Sequence, residues 1–138
     1  MRRMIIVTMI LLLMNCSVSY AEKFDTGYLD AEYFTAFVST ILQAQTQEAI
    51  NDYYEPYLSE NPFVQPWFTK VINVERPFDY QFLIKLEVTP FLGAHNPVAL
   101  DHLTFKADID GVVLLKFEHL ESYELPPHLN DLLIKPLP

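Results

Sequence analysis

The residues best suited to chemistry lie in one stretch, FLGAHNPVALDHLTF, Phe91–Phe105, which holds two histidines, an asparagine and an aspartate among apolar runs. Histidine titrates near neutral pH, and a facing carboxylate orients its ring and raises its pKa, as in catalytic pairs and in the outer shells of metal sites. Whether Asp101 has such a partner depends on hairpin register. The segment KADIDGVVLL reads as a hairpin with a three-residue loop, Ile109–Gly111, whose glycine takes the left-handed position. That loop pairs Ala107 with Val113, Phe105 with Leu115 and Leu103 with Phe117, all apolar. A two-residue turn at Asp110–Gly111 would set Phe105 against Lys116 instead. A one-residue slip turns every side chain over, so the apolar pattern selects the three-residue loop.

One step further along, Asp101 faces His119 on the core side of the sheet, and His95 on the adjoining loop is near enough to join them. His95, Asp101 and His119 are therefore the candidate catalytic residues. The competing reading is structural: Asp101 and His119 satisfy each other at a sheet rim, and Asn96–Pro97 makes a turn.

Other chemistries find little support. Asp108-x-Asp110-Gly111 is turn chemistry, since a calcium loop needs several further oxygen ligands at fixed spacing. His95, His102, His119 and His128 show no close metal-binding spacing, and His102 should point outward into solvent. Ser39, Ser59 and Ser122 lie outside any G-x-S-x-G motif, and the few glycines make no phosphate-cradling loop. Neither a cofactor nor a metal is expected.

The elements that must position these residues follow from periodicity. Asp25 and Thr26 offer N-cap oxygens, and apolar residues then recur at Phe34, Phe37, Val38, Ile41, Leu42, Ala49, Ile50 and Tyr53. That spacing predicts one long amphipathic helix from about Tyr28 to Tyr54. Pro56, Pro62 and Pro66 then impose an irregular connector rich in aromatics: Tyr57, Phe63, Trp67 and Phe68 follow closely on Tyr53 and Tyr54. These aromatics read first as core and lid; an exposed cluster there would be the best binding patch. Tyr54, Tyr57, Trp67 and the loop residue Asn96 are the binding candidates.

After the connector the period becomes two. In YQFLIKLEVTP, residues Tyr80, Phe82, Ile84, Leu86 and Val88 share one face, with Gln81, Lys85, Glu87 and Thr89 opposite. WFTKVINV, VALDHLTFKA and VVLLKFEHLESY complete four strands with no helical pattern between them. The expected fold is α+β: one long N-terminal helix packed on a four-stranded antiparallel meander, a cystatin-like or NTF2-like roll. A short helical turn is expected near His128–Leu133.

The ends and the composition bound the setting. Arg2 and Arg3 precede the apolar run Met4–Met14, and Ser19 and Ala21 are small residues before Glu22. This is the pattern of a secretory signal peptide over residues 1–21, with a single domain over 22–138. An uncleaved anchor is the alternative, although the run is shorter than the roughly 20 residues of a spanning helix. Loss of Arg2 and Arg3 takes the net charge from −9 to −11, which suits neither nucleic acid nor anionic lipid. Cys16 is the only cysteine, so the domain has neither disulfide nor thiol nucleophile.

The chain also resembles the small exported proteins of spore-forming Gram-positive bacteria known as domain of unknown function 3888. The resemblance rests on Tyr53-Tyr54, VERP (Val74–Pro77), VTPFLGAHNPV (Val88–Val98), Asp101, Thr104-Phe105, KFEH (Lys116–His119) and SYELPPHLNDL (Ser122–Leu132). Where that family often has glycine after HNPV, this chain has Ala99. The resemblance implies export and carries no activity or catalytic residues with it. The expectation is thus a non-enzymatic extracytoplasmic domain that binds a protein, peptide or cell-envelope ligand. The alternative is a small hydrolase or metal-dependent enzyme using His95, Asp101 and His119.

Overall fold

A computed structural model describes residues 30–138, so the expected signal peptide, its cleavage point and the caps at Asp25 and Thr26 lie outside the described residues. Helix α1 (Ala31–Ile41) starts at Asp30, whose Oδ1 accepts the Glu32 N–H at 3.3 Å, an N-cap contact. Helix α2 (Gln43–Tyr54) follows after Leu42 and ends shortly before Pro56.

The single long helix expected from the periodicity is therefore two helices, broken at Leu42. Leu42 adopts φ −94° and ψ 4°, yet the bonds Leu42 N–H to Val38 O and Thr46 N–H to Leu42 O carry the apolar rhythm across the break. Just before it, the Thr40 hydroxyl donates to Ala36 O at 2.7 Å, a back-bond that competes with the helical ladder and bends helices. The apolar stripe divides as well. Val38, Leu42, Ala49, Ile50 and Tyr54 are buried, whereas Phe37 and Ile41, counted as core by spacing, are exposed beside Tyr33.

The sheet is open and antiparallel. Strands β1 (Phe63–Phe78), β2 (Gln81–Leu92), β4 (Ala99–Asp108) and β5 (Gly111–Ser122) lie in the order β1-β2-β4-β5, and the short β3 (Asn96–Pro97) pairs with β2. Pro66 and Pro77 are tolerated because β1 is an edge strand and both fall within its register shifts, where ladder bonds are already interrupted. On β2, Ile84, Leu86 and Val88 are buried against the helices. Phe82 is only half covered, and Tyr80 sits exposed in the β1–β2 turn with φ 59°. The opposite face is a polar ladder. Lys70 and His102 meet Glu87 at 2.7 and 3.5 Å, and Lys85 and Lys116 meet Glu118 at 3.1 and 2.7 Å. His102 does face outward but is held by Glu87 rather than left in solvent.

The β4–β5 hairpin corrects one expectation and meets another. Its turn has two residues, Ile109 and Asp110, so Ala107 faces Val112 and Phe105 faces Leu114. A bulge between Phe105 and Thr104 then restores the expected pairs, Leu103 with Phe117 and Asp101 with His119. The turn is closed by Asp110 N–H donating to Asp108 Oδ1 at 2.9 Å. A 3₁₀ turn at Pro127–Leu132 returns the tail to the helix end, where Ser59 N–H donates to Leu132 O and Ile134 N–H to Tyr57 O.

Candidate functional site

Two parts of the molecule concentrate recognisable chemistry: a polar chain at the end of α2 and a groove beside α1.

The polar chain begins with the pair anticipated from register. Asp101, on the core face of β4, is fully buried, and its Oδ1 lies 2.8 Å from His119 Nδ1. Helix α2 brings Tyr54 onto the same carboxylate, with the hydroxyl donating to Oδ2 at 2.8 Å and lying 3.3 Å from His119 Nδ1. With Asp101 ionised, Nδ1 carries the ring proton and Nε2 is left as an acceptor. Nε2 lies 3.0 Å from Ser122 Oγ, whose proton is donated to Pro138 O at 2.7 Å.

Ser122 reaches the ring because of a second bulge. Residues three apart on a regular strand point to opposite faces. Here Asp101 pairs with His119 but Leu100 pairs with Glu121, so Leu120 is the extra residue and Ser122, opposite Ala99, returns to the face of His119. Tyr53 stacks on the imidazole (5.8 Å, 22°) and on Phe117 (4.1 Å, 12°). Tyr57 stacks on Tyr53 and lies under Lys135 Nζ at 4.2 Å.

Burial pushes the Asp101 carboxyl above its ordinary value, opposed by the hydrogen bonds from His119 and Tyr54. The Tyr54 hydroxyl is driven far up by burial and by the adjacent carboxylate, so it keeps its proton and donates it to Asp101. On the outer face, the Lys70 ammonium holds Glu87 below the usual carboxylate range.

The other sequence candidates separate. His95 is exposed in the turn 93–95 and, among the described residues, makes no hydrogen bond to Asp101 or His119, so the three-residue cluster does not form. Among the described residues no group of three or more His, Cys, Asp or Glu is placed to hold a metal ion. Asn96 is structural: its Nδ2 donates to Leu92 O at 3.0 Å and closes the turn that begins at Gly93, φ 59°. That turn is 93–95, while Asn96 and Pro97 form β3 rather than the turn itself. Tyr54 is a buried member of the polar chain rather than a surface contact.

Trp67 remains a surface candidate. It is 75% exposed and lines a groove of about 610 Å³ between α1 and β1, with Ala31, Glu32, Thr35, Ala36 and Thr40 on the helix and Pro66 and Thr69 on the strand. Small residues at 31, 35, 36 and 40 keep the helix side of the groove open, and the Gln65–Phe68 irregularity in β1 turns Trp67 out. The volume lies in the range of small-ligand sites. Sequence reasoning named Trp67, which the structure exposes at the groove, among the connector aromatics, but missed the helix half of the groove. It also missed Ser122, whose one available cue, a serine three residues after the histidine, points the wrong way without the bulge.

A family model described as protein of unknown function, DUF3888, matches residues 34–121. No curated protein and no solved structure matches the chain.

Proposed function

Because the chain belongs to DUF3888, a family of unknown function, its role has to be read from its own surface, and we propose that it is an exported binding domain whose ligand lies in the α1–β1 groove. The single observation carrying this reading is the concave surface under Trp67, in which an exposed indole faces small side chains across a space large enough for a ligand. Glu32 is the only charged lining residue among the described residues, which favours an uncharged or weakly basic ligand held by apolar and hydroxyl contacts: a peptide segment or a cell-envelope fragment. Tyr33, Phe37 and Ile41, exposed at intervals of four along α1, extend the apolar surface available to a larger partner. An open antiparallel sheet with helices packed on it leaves such a margin beside the helix.

The export half of the proposal rests on the basic start, the apolar run and the small residues before Glu22. No helix among the described residues is long and apolar enough to cross a membrane.

The test is calorimetric titration of the protein with soluble peptidoglycan fragments and with short apolar peptides, beside an Ala36→Leu variant that fills the groove. Binding that weakens about tenfold or more in the variant, on the order of 1.4 kcal/mol, supports the groove as the site. Equal binding by both proteins places the ligand elsewhere.

A further inference from the structure

The groove reading makes no use of Ser122, whose hydroxyl oxygen lies 3.0 Å from His119 Nε2, on the far side of the ring from Asp101. We infer that Ser122, His119 and Asp101 form a nucleophilic acyl-transfer site that takes small aryl esters. Such a site is recognised by geometry and roles, not by chain order or a flanking motif.

Each role has a group in place. Asp101, fully buried, holds His119 Nδ1 at 2.8 Å, and a second donor, the Tyr54 hydroxyl, fixes its other oxygen. Tyr53 stacked on the ring holds its plane, so Nε2 is aimed at Ser122 Oγ at 3.0 Å, within the reach of a general base. In the structure the Ser122 proton is directed at Pro138 O. Rotation about the Cβ–Oγ bond redirects it to Nε2 without moving a heavy atom. A serine that only tethered the tail would need the Pro138 contact alone. It would need neither an oriented imidazole behind it nor a bulge at Leu120 to bring it round. The substrate class is chosen from the aromatic surroundings of the histidine, where Tyr53 packs on the ring and on Phe117, and Tyr57 stacks on Tyr53 beneath Lys135.

The step balances as ordinary ester hydrolysis. Ser122 Oγ bonds to the ester carbonyl carbon as its proton passes to His119 Nε2. The ester C–O bond then breaks, and the phenol leaves with that proton. Water, deprotonated by the same nitrogen, cleaves the acyl-serine and returns the serine proton by way of the ring.

The experiment treats the full chain at pH 8 with an alkyl fluorophosphonate and locates the adduct by peptide mass spectrometry, with p-nitrophenyl acetate turnover measured in parallel. The expected result is an adduct on Ser122, absent in Ser122→Ala and formed about 100-fold or more slowly in His119→Gln. All three proteins are checked for folding by circular dichroism. A folded wild-type chain that takes up no label overturns the inference. So does labelling of Ser122 at an undiminished rate in folded His119→Gln.

Discussion

Tyr54 and Asp101, 47 residues apart in the chain, share a 2.8 Å hydrogen bond in the interior, and through it the end of α2 is fastened to the middle of the sheet. Both are fully buried, and the carboxylate has its two oxygens divided between the tyrosine hydroxyl and the imidazole. Few substitutions would expose this arrangement more cleanly than removing one oxygen atom. Tyr54→Phe leaves the ring packing in place but strips a donor from a buried carboxylate, which should cost about 1–3 kcal/mol. Urea unfolding of this variant beside Tyr53→Phe, whose hydroxyl has no protein partner among the described residues, should show the difference. The Tyr53 variant should stay within about 0.5 kcal/mol of the parent.

Asp101 also sets a sign for pH dependence. Its folded-state pKa is raised above the ordinary 3.8 by burial, so the folded chain holds this proton more tightly than the unfolded chain does. From this group alone, stability is greatest below the unfolded value and falls as pH rises through the folded one. Asp101→Asn removes that fall. The destabilisation measured for Asp101→Asn should therefore be larger near pH 3 than near pH 7, and a loss that grows with pH would contradict the assignment. Glu87, held low by Lys70, works in the opposite sense and is present in both proteins, so it cancels in the comparison.

Gly111 begins β5 at φ 129°, a conformation that L side chains rarely adopt, although a methyl group there would meet nothing within 4 Å. Gly111→Ala should therefore destabilise through backbone strain alone, by about 1–3 kcal/mol. Thermal unfolding checks this. An unchanged melting temperature would mean the turn relaxes to another geometry.

Export makes a covalent prediction. If residues 1–21 are removed as a signal peptide, the chain recovered from the medium or the cell wall begins at Glu22, and N-terminal sequencing should read Glu-Lys-Phe-Asp. Recovery of an intact Met1 terminus in the membrane fraction would instead indicate an uncleaved anchor.

How far the sequence revealed this structure varied with the kind of signal. Alternation on β2 was legible because one face is packed and the other solvated, so Ile84, Leu86 and Val88 could be assigned from spacing. The Asp101–His119 pair was legible because the apolar partners Leu103 and Phe117 fix the register beside it. The turn itself was not. A three-residue loop without a bulge and a two-residue loop with one bulge give the same pairing beyond Thr104, and the apolar pattern cannot separate them. Ser122 was hidden for the same reason at Leu120. The break at Leu42 was hidden because helical hydrogen bonds, and with them the spacing, continue across it. The Tyr54–Asp101 bond joins distant segments, which local periodicity does not encode.

The groove is the claim most open to direct measurement, because Trp67 is the only tryptophan among the 138 residues and stands at its edge. Its emission, followed during titration with peptidoglycan fragments and apolar peptides, reports that surface and no other. A ligand seated between α1 and β1 should shift the emission to shorter wavelength and shield the indole from acrylamide quenching. A ligand that binds by calorimetry while leaving Trp67 emission and quenching unchanged would contradict the account.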